Sequence, residues 1–232
     1  MDIYIITGTS KGIGKALAEF YLNQGKEVLG ISRTPSIEHA NFHWLKHDFS
    51  NIDSIKKINL SPWVSDKKNV VLINNAGTIG EIKRSHELTL EHYQQLALVN
   101  IVAPQFLISH LLQHVPKGDF SAIVNISSGA GRRAIPSWAG YCASKAAIDL
   151  FSETLLEEFK ELNQNTKVYS VAPGVVDTSM QETIRNSNPT DFSSHQKFVA
   201  LNENKELRSP HEVAQLIDRL LQEEQGEVVC RV

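Results

Sequence analysis

Short, apolar, β-branched runs alternate with longer amphipathic ones along the whole chain, and this rhythm limits the possible folds more than any other feature. Ile3–Thr7, Glu27–Ser32, Phe42–Lys46, Val70–Asn74, Ala122–Ser127, Lys167–Ala172 and Glu227–Arg231 read as strands, with Phe42–Lys46 the weakest. Helical periodicity fills Ile13–Gln24, Leu90–His114, Tyr141–Leu162 and Pro210–Glu223. Gly25 ends the first helix, and Ser209 as N-cap with Pro210 behind it opens the last. Pro104 predicts a kink or a break within Leu90–His114. The β-α-β order predicts an α/β fold. It is a Rossmann-type, doubly wound parallel sheet of about seven strands, with helices on both faces and ligands at the carboxyl ends of the strands. The 232 residues fit a single domain of this kind, spanning 1–232. Residues 177–209 are polar, rich in Asn and Ser, and lack a clear period. A loop this long in a compact domain predicts a substrate lid.

Charge and cysteine usage remove several classes of function. A formal net charge of −3 gives no reason to expect nucleic acid or an anionic membrane as partner. Cys142 and Cys230 form no C-x-x-C, so a reducing compartment is expected. The opening M-D-I-Y-I-I-T-G has no signal-peptide pattern, and no apolar run was expected to reach the ~20 residues of a bilayer span. The expectation is a cytoplasmic protein.

The first strand runs directly into T-G-T-S-K-G-I-G, Thr7 to Gly14, which opens the first helix. Strand, glycine turn and helix together predict a dinucleotide site. Gly8 permits a tight turn, while Gly12 and Gly14 let backbone and helix approach a pyrophosphate. The N–H groups from about Lys11 to Ile13 face its charge. At the end of the second strand an acidic residue would bond a ribose 2′-OH. This chain has Ser32, Arg33 and Thr34 instead, with Lys11 within reach. Two cations and two hydroxyls suit a 2′-phosphate, gripped bidentately by Arg33, so NADP(H) is the expected cofactor. The plain reading of Lys11 and Arg33 is solvated surface charge.

Tyr141 and Lys145 lie four apart on one helix, with Ser128 upstream at the end of a strand and Asn100 further back. Hydride delivery to a carbonyl carbon leaves an alkoxide that needs a proton. A phenol near pKa 10 serves only if a cation such as Lys145 favours its phenolate. Ser128 can hydrogen-bond the carbonyl oxygen.

Over essentially its full length the chain resembles the short-chain dehydrogenase/reductases. T-G-T-S-K-G-I-G, Asn74-Asn75-Ala76-Gly77, Asn100, Ser128, Tyr141-x-x-x-Lys145 and Pro173-Gly174-Val175-Val176-Asp177-Thr178 follow that family's order. The resemblance implies that Tyr141 is the proton donor, Lys145 lowers its pKa and also holds ribose hydroxyls, and Ser128 polarises the carbonyl. It implies that Asn100 holds a water linking Lys145 to solvent. It assigns cofactor contacts to Ile6, Gly8, Ser10, Lys11, Gly12, Ile13, Arg33, Asp48, Phe49, Asn75, Ala76, Gly77, Pro173, Gly174, Val176 and Thr178. In that family the two long helices pair across a two-fold axis, so a homodimer is expected and a tetramer is possible.

Asp177-Thr178-x-Met180-Gln181 with Ile184-Arg185, Ile126 to Gly131, and Leu201 to Pro210 are similar to the benzil reductase and sepiapterin reductase branch. The implied reaction is NADPH-dependent reduction of one carbonyl of an aromatic 1,2-diketone. The alternatives are a pterin side-chain reductase, an alcohol dehydrogenase working in reverse, and an NADP(H)-sensing binding protein. Sepiapterin reductases anchor the pterin through an acidic residue near the C-terminus; Cys230 falls there, which leans toward the diketone. Trp138, Met180 and Gln181 are candidate substrate residues, with Pro136 and Phe192 beside them. Trp138 serves equally well as packing for the lid or a partner. His110 and His114 sit i,i+4 but lack a third ligand, so no metal site is expected.

Overall fold

The computed structural model describes residues 2–116 and 118–232. The strands are β1 (Asp2–Thr7), β2 (Glu27–Ser32), β3 (Phe42–Lys46), β4 (Asn69–Asn74), β5 (Phe120–Ile126), β6 (Lys167–Ala172) and β7 (Val229–Arg231). The helices are α1 (Gly12–Asn23), α2 (Ile52–Lys56), α3 (Ser61–Val64), α4 (Leu90–Ala97), α5 (Ala103–His114), α6 (Ala139–Glu161), α7 (Ser179–Arg185), α8 (His195–Glu203) and α9 (Pro210–Gln222). The sheet order is β3-β2-β1-β4-β5-β6-β7, and every pairing is parallel. Crossovers leave in opposite directions on either side of the β1–β4 junction. That junction is the switch point, where the loops part and a ligand can enter.

Both faces of the sheet are covered, which explains why its strands are apolar throughout rather than alternating. Ile3 and Ile5 of β1 and Leu72 of β4 pack against Leu107 and Leu111 of α5 and Leu155 and Phe159 of α6. On the other face Ile6, Val71, Ile73 and Val124 meet Leu17 and Tyr21 of α1 and Val213 and Ile217 of α9. Each fully buried side chain of this size contributes roughly 1.5–3 kcal/mol.

The expected kink at Pro104 takes a specific form. The rod Leu90–His114 is continuous, but Leu98–Val102 is a π-helical turn in which the Ala103 N–H reaches the Leu98 carbonyl. Proline offers no N–H, and its ring crowds the carbonyl four residues back, which belongs to Asn100. Widening the helix by one residue just before Pro104 relieves that conflict. At 25 residues, with a mean hydropathy of 1.5 over its most apolar 18-residue window, the rod corrects the expectation that no segment reaches bilayer-spanning length and apolarity. Leu107, Ile108 and Leu111 place it as a core helix of the domain.

The segment 177–209 is also more regular than its sequence suggests, since it carries α7 and α8. Its apolar residues Ile184, Phe192 and Phe198 are too sparse to show a period, yet all three are buried. Where it ends, the Ser209 hydroxyl accepts from the Glu212 N–H at 3.1 Å, and the Glu212 carboxylate accepts from the Ser209 N–H at 2.7 Å. This reciprocal cap fixes the start of α9.

His110 is committed to the fold: its Nε2 accepts the Leu60 N–H at 3.1 Å, which only a neutral imidazole can do. Burial and the neighbouring His114 hold its pKa below the ordinary value. As pH falls, the unfolded chain therefore takes up the proton first. The contribution of His110 is present above the unfolded pKa of about 6.5 and lost as pH drops through the folded one. Urea midpoints measured between pH 7 and pH 5 are expected to fall further for the wild type than for His110→Gln. Equal falls would remove His110 from the acid sensitivity.

Candidate active site

The floor of the site is built by Thr7, the last residue of β1. Its hydroxyl accepts the N–H groups of Asn75 and Ala76, each at 2.9 Å, and its carbonyl accepts Asn75 Nδ2 at 2.9 Å. The glycine turn is thereby locked to the end of β4. Gly8 and Gly12 hold left-handed φ angles of 76° and 60°. Gly14 also has a packing task. A β-carbon there would stand 2.4 Å from both Asn75 Nδ2 and the Gly8 carbonyl oxygen, so it lets α1 lean on Asn75. Lys11, the N-cap of α1, makes no side-chain cap, and the first turn holds no acidic residue. The N–H groups at this helix start fit a pyrophosphate. Ile6 is buried below the turn, Ser10 lies within it, and Ile13 packs on the α1–α9 layer.

Around the carboxyl end of β2, Lys11, Arg33 and Thr34 are exposed. Ser32 departs from expectation. Its buried hydroxyl donates to the Thr34 carbonyl at 2.8 Å and accepts Trp44 Nε1 at 3.1 Å, so it builds the turn and is not free for a phosphate. Asp48 Oδ1 accepts the Ser50 N–H at 2.9 Å and its hydroxyl at 2.7 Å. Burial alone would raise this carboxyl, but Ser50 and the nearby Arg33 hold it below the usual range. The Phe49 side chain belongs to the core.

The carboxyl ends of β5 and α6's first turns bring the acid/base set together. Ser128 caps the short helical turn Gly129–Arg132, its hydroxyl accepting the Ala130 N–H at 3.2 Å. Tyr141 and Lys145 are about 6% and 5% exposed. The Tyr141 hydroxyl lies 4.0 Å from Met180 Sδ. Lys145 Nζ donates to the Ile126 carbonyl at 2.7 Å and sits 5.8 Å from the centre of the Tyr141 ring. Asn100 Oδ1 accepts the Thr78 N–H at 2.9 Å, while Nδ2 donates to the Thr78 carbonyl at 2.8 Å and to Ser144 Oγ at 3.0 Å. Asn100 Oδ1 and Lys145 Nζ both stand 3.6 Å from where a β-carbon on Gly77 would be, so the two residues converge there. The Asn100 side chain is spent on these bonds. Its main-chain carbonyl, deprived of an i+4 donor by Pro104, is the group that can take a water.

Burial pushes Tyr141 up to about 12, against the pull of the Ser128 hydroxyl. Burial also pushes Lys145 down to about 8, against the pull of Asp149. Tyr141 is thus a protonated phenol, the form that can donate, beside a lysine poised near neutrality. Below the set, Asn74 Nδ2 donates to Asn125 Oδ1 and Asn125 Nδ2 to Ser152 Oγ, both at 2.9 Å, tying β4, β5 and α6 together.

The corner after β6 owes its shape to Arg208, which sequence reasoning did not single out. The Arg208 N–H reaches the Val175 carbonyl at 3.0 Å, and the Asp177 N–H reaches the Arg208 carbonyl at 2.9 Å. Its guanidinium holds the carbonyls of Pro173 and Val232 beside Gly174. In this parallel bridge Val176's own N–H and C=O point the other way, and the carbonyl accepts the Thr178 hydroxyl at 3.3 Å. One donor beside one acceptor fits a carboxamide.

Trp138 packs against the segment 177–209. It stacks on Phe192 with centroids 5.1 Å apart and lies 5.3 Å from Phe198, while meeting Tyr141 edge-on at 5.8 Å. Ser137, with φ of 70°, positions it by donating its hydroxyl to the Asp191 carbonyl of that segment. Trp138 Nε1 and Gln181 Oε1 are buried without a hydrogen-bond partner among the described residues. Cys230 packs toward the α1–α9 layer, where burial raises its thiol.

The family model described as short chain dehydrogenase matches residues 2–189. The benzil reductase ((S)-benzoin forming) of Bacillus cereus is 35% identical over 245 residues, covering 99% of this chain and 98% of that protein. The enzyme of the same name from Bacillus subtilis (strain 168) is 37% identical over 229 residues, covering 96% and 94%. The crystal structure of the KRED1-Pglu enzyme shares the fold, with a TM-score of 0.85 at 23% identity over 98% of this chain and 97% of that one.

Proposed function

Because the chain belongs to the short-chain dehydrogenase family, whose members are NAD(P)(H) oxidoreductases acting on C=O and CH–OH groups, we propose that it reduces one carbonyl of an aromatic 1,2-diketone with NADPH. The observation that carries this reading is the grouping of Ser128 and Lys145 with Tyr141, whose ring belongs to an apolar cluster with Trp138, Phe192 and Phe198. Apolar, aromatic surroundings next to the acid/base set suit a flat substrate, and the similarity to two benzil reductases supports the same class.

NADPH bound along the carboxyl ends of the strands supplies the hydride. The α1 N-terminus, Asn75-Ala76-Gly77 and the Pro173-Gly174 corner hold it, and Val176 with Thr178 holds its carboxamide. Lys11 and Arg33 face the 2′-phosphate. Ser128 donates to the carbonyl oxygen and fixes its direction. Tyr141 passes its phenolic proton to the same oxygen as charge develops there. Lys145 stabilises the phenolate left behind, and the Asn100 carbonyl orders the water through which the proton is replaced. Met180, beside the Tyr141 hydroxyl, and Gln181 line the substrate side. We place the protein in the cytoplasm as a homodimer, with a second copy covering the exposed Val102 and Leu112 of the long rod and Leu150 of α6.

The reduction needs Tyr141 protonated and Lys145 charged. Its kcat/KM is therefore expected to be flat below about pH 8 and to decline above it as Lys145 loses its proton. A profile still rising through pH 9 would contradict this arrangement. The substrate class is tested by following NADPH loss with benzil, 1-phenyl-1,2-propanedione, sepiapterin and a simple aliphatic ketone, with NADH as control. Fast turnover of the diketones is the expected result. A preference for sepiapterin would replace the diketone with a pterin, and NADPH binding without any turnover would leave a cofactor-sensing protein.

A further inference from the structure

One turn beyond Lys145 on α6 stands a second buried charge, Asp149, only 8% exposed. Its Oδ1 accepts a 2.6 Å hydrogen bond from Ser170 Oγ, which is wholly buried in β6. Its Oδ2 lies against Gly131, in the turn that Ser128 caps. A β-carbon on Gly131 would come within 2.7 Å of that oxygen and 2.9 Å of the Lys145 carbonyl carbon. The Ser128 turn is therefore seated on α6 at the level between Lys145 and Asp149.

A carboxylate withdrawn from water is costly unless an opposite charge compensates it. The neighbouring elements carry other titratable or charged groups. On α6 these are Tyr141, Cys142 and the exposed Glu153. Arg132 comes from the Ser128 turn, where its guanidinium is engaged by the Val229 carbonyl at 2.6 Å, and Cys230 and Arg231 come from β7. From β5 and the π-helical turn the neighbours are the neutral Asn125 and Asn100. Lys145 is the buried cation on the same helix face, at the i,i+4 spacing that brings side chains together.

We propose that Asp149 is a positioning residue for the acid/base set: its buried carboxylate keeps the Lys145 ammonium charged and anchors α6 to β6 and to the Ser128 turn. The direction of its influence on Lys145 agrees, since Asp149 opposes the effect of burial. The catalytic meaning rests on the proposed function, whereas the coupling between the two charges is a property of the folded chain.

Two measurements test it. Urea unfolding compares Lys145→Met with Lys145→Met/Asp149→Asn. With the lysine gone, the carboxylate is an uncompensated buried charge, so the second substitution is expected to raise the midpoint. A lower midpoint in the double variant would mean that Asp149 acts only through Ser170, and would overturn the proposal. This comparison needs neither turnover nor a folded Asp149→Asn single variant, so it stands or fails apart from the diketone reading. In the active enzyme, Asp149→Asn is expected to move the alkaline limb of the reduction profile down by about one pH unit or more. Ser170→Ala, which keeps the carboxylate, should leave the limb in place. An unmoved limb in Asp149→Asn would also overturn the proposal.

Discussion

Tyr141→Phe is expected to lower kcat for carbonyl reduction by about 10²–10⁴-fold, the usual contribution of a positioned general acid. Its NADPH dissociation constant should stay within about twofold of the wild type. The prediction is this selective because of what the hydroxyl touches. It faces side chains, the Ser128 hydroxyl and, 4.0 Å away, Met180 Sδ, so among the described residues its removal strands no backbone donor or acceptor. The ring remains edge-on to Trp138 and keeps its place in the cluster under the lid. The fold and the glycine turn, which lies on the other side of Lys145 and is braced by Thr7 and Asn75, should not register the change. Single-turnover kinetics with a fluorescence titration of NADPH separate the two quantities. Loss of NADPH binding in parallel with activity would mean that the tyrosine serves the cofactor rather than the carbonyl.

The second large effect is in cofactor choice. Lys11→Ala/Arg33→Ala is expected to raise the NADPH KM by about 10–100-fold and to change the NADH KM by less than about threefold. Both side chains are exposed, and neither takes part in a salt bridge among the described residues. Their removal should therefore cost little stability. Ser32 is the contrasting case at the same strand end. Its hydroxyl is already bonded to Thr34 and Trp44, so Ser32→Ala should disturb the turn without changing the preference for the phosphate. Equal rises in both KM values for the double variant would sink the assignment of a 2′-phosphate to this end of the site.

The physical reasons these features are readable differ from one to the next. The sheet is legible because buried parallel strands must be apolar on both faces, and Val70–Asn74 and Lys167–Ala172 have no other plausible state. The glycine turn is legible because backbone geometry demands specific residues there. Ser128, Tyr141 and Lys145 stand out because their chemistry fixes their type and spacing. Arg208 was not readable as the residue that shapes the Pro173–Asp177 corner, since an arginine 35 positions downstream carries no local signal. Phe192 and Phe198 sit among polar residues and reveal their burial only once Trp138 is seen between them. Pro104 announces a kink or break in the rod, but a proline alone does not say that the conflict is relieved by a π-helical turn at Leu98–Val102 that keeps the rod continuous. Ser32 misled because a hydroxyl at the right position looks available until its partners are known.

The central claim is that NADPH delivers its hydride to a diketone carbonyl held by Ser128 and Tyr141. The most direct test is a single turnover of the purified protein with benzil and NADPH deuterated at both C4 positions, the product being read by mass spectrometry. The account predicts benzoin carrying one deuterium on its carbinol carbon. Unlabelled benzoin, or bound NADPH that is never consumed, would contradict it.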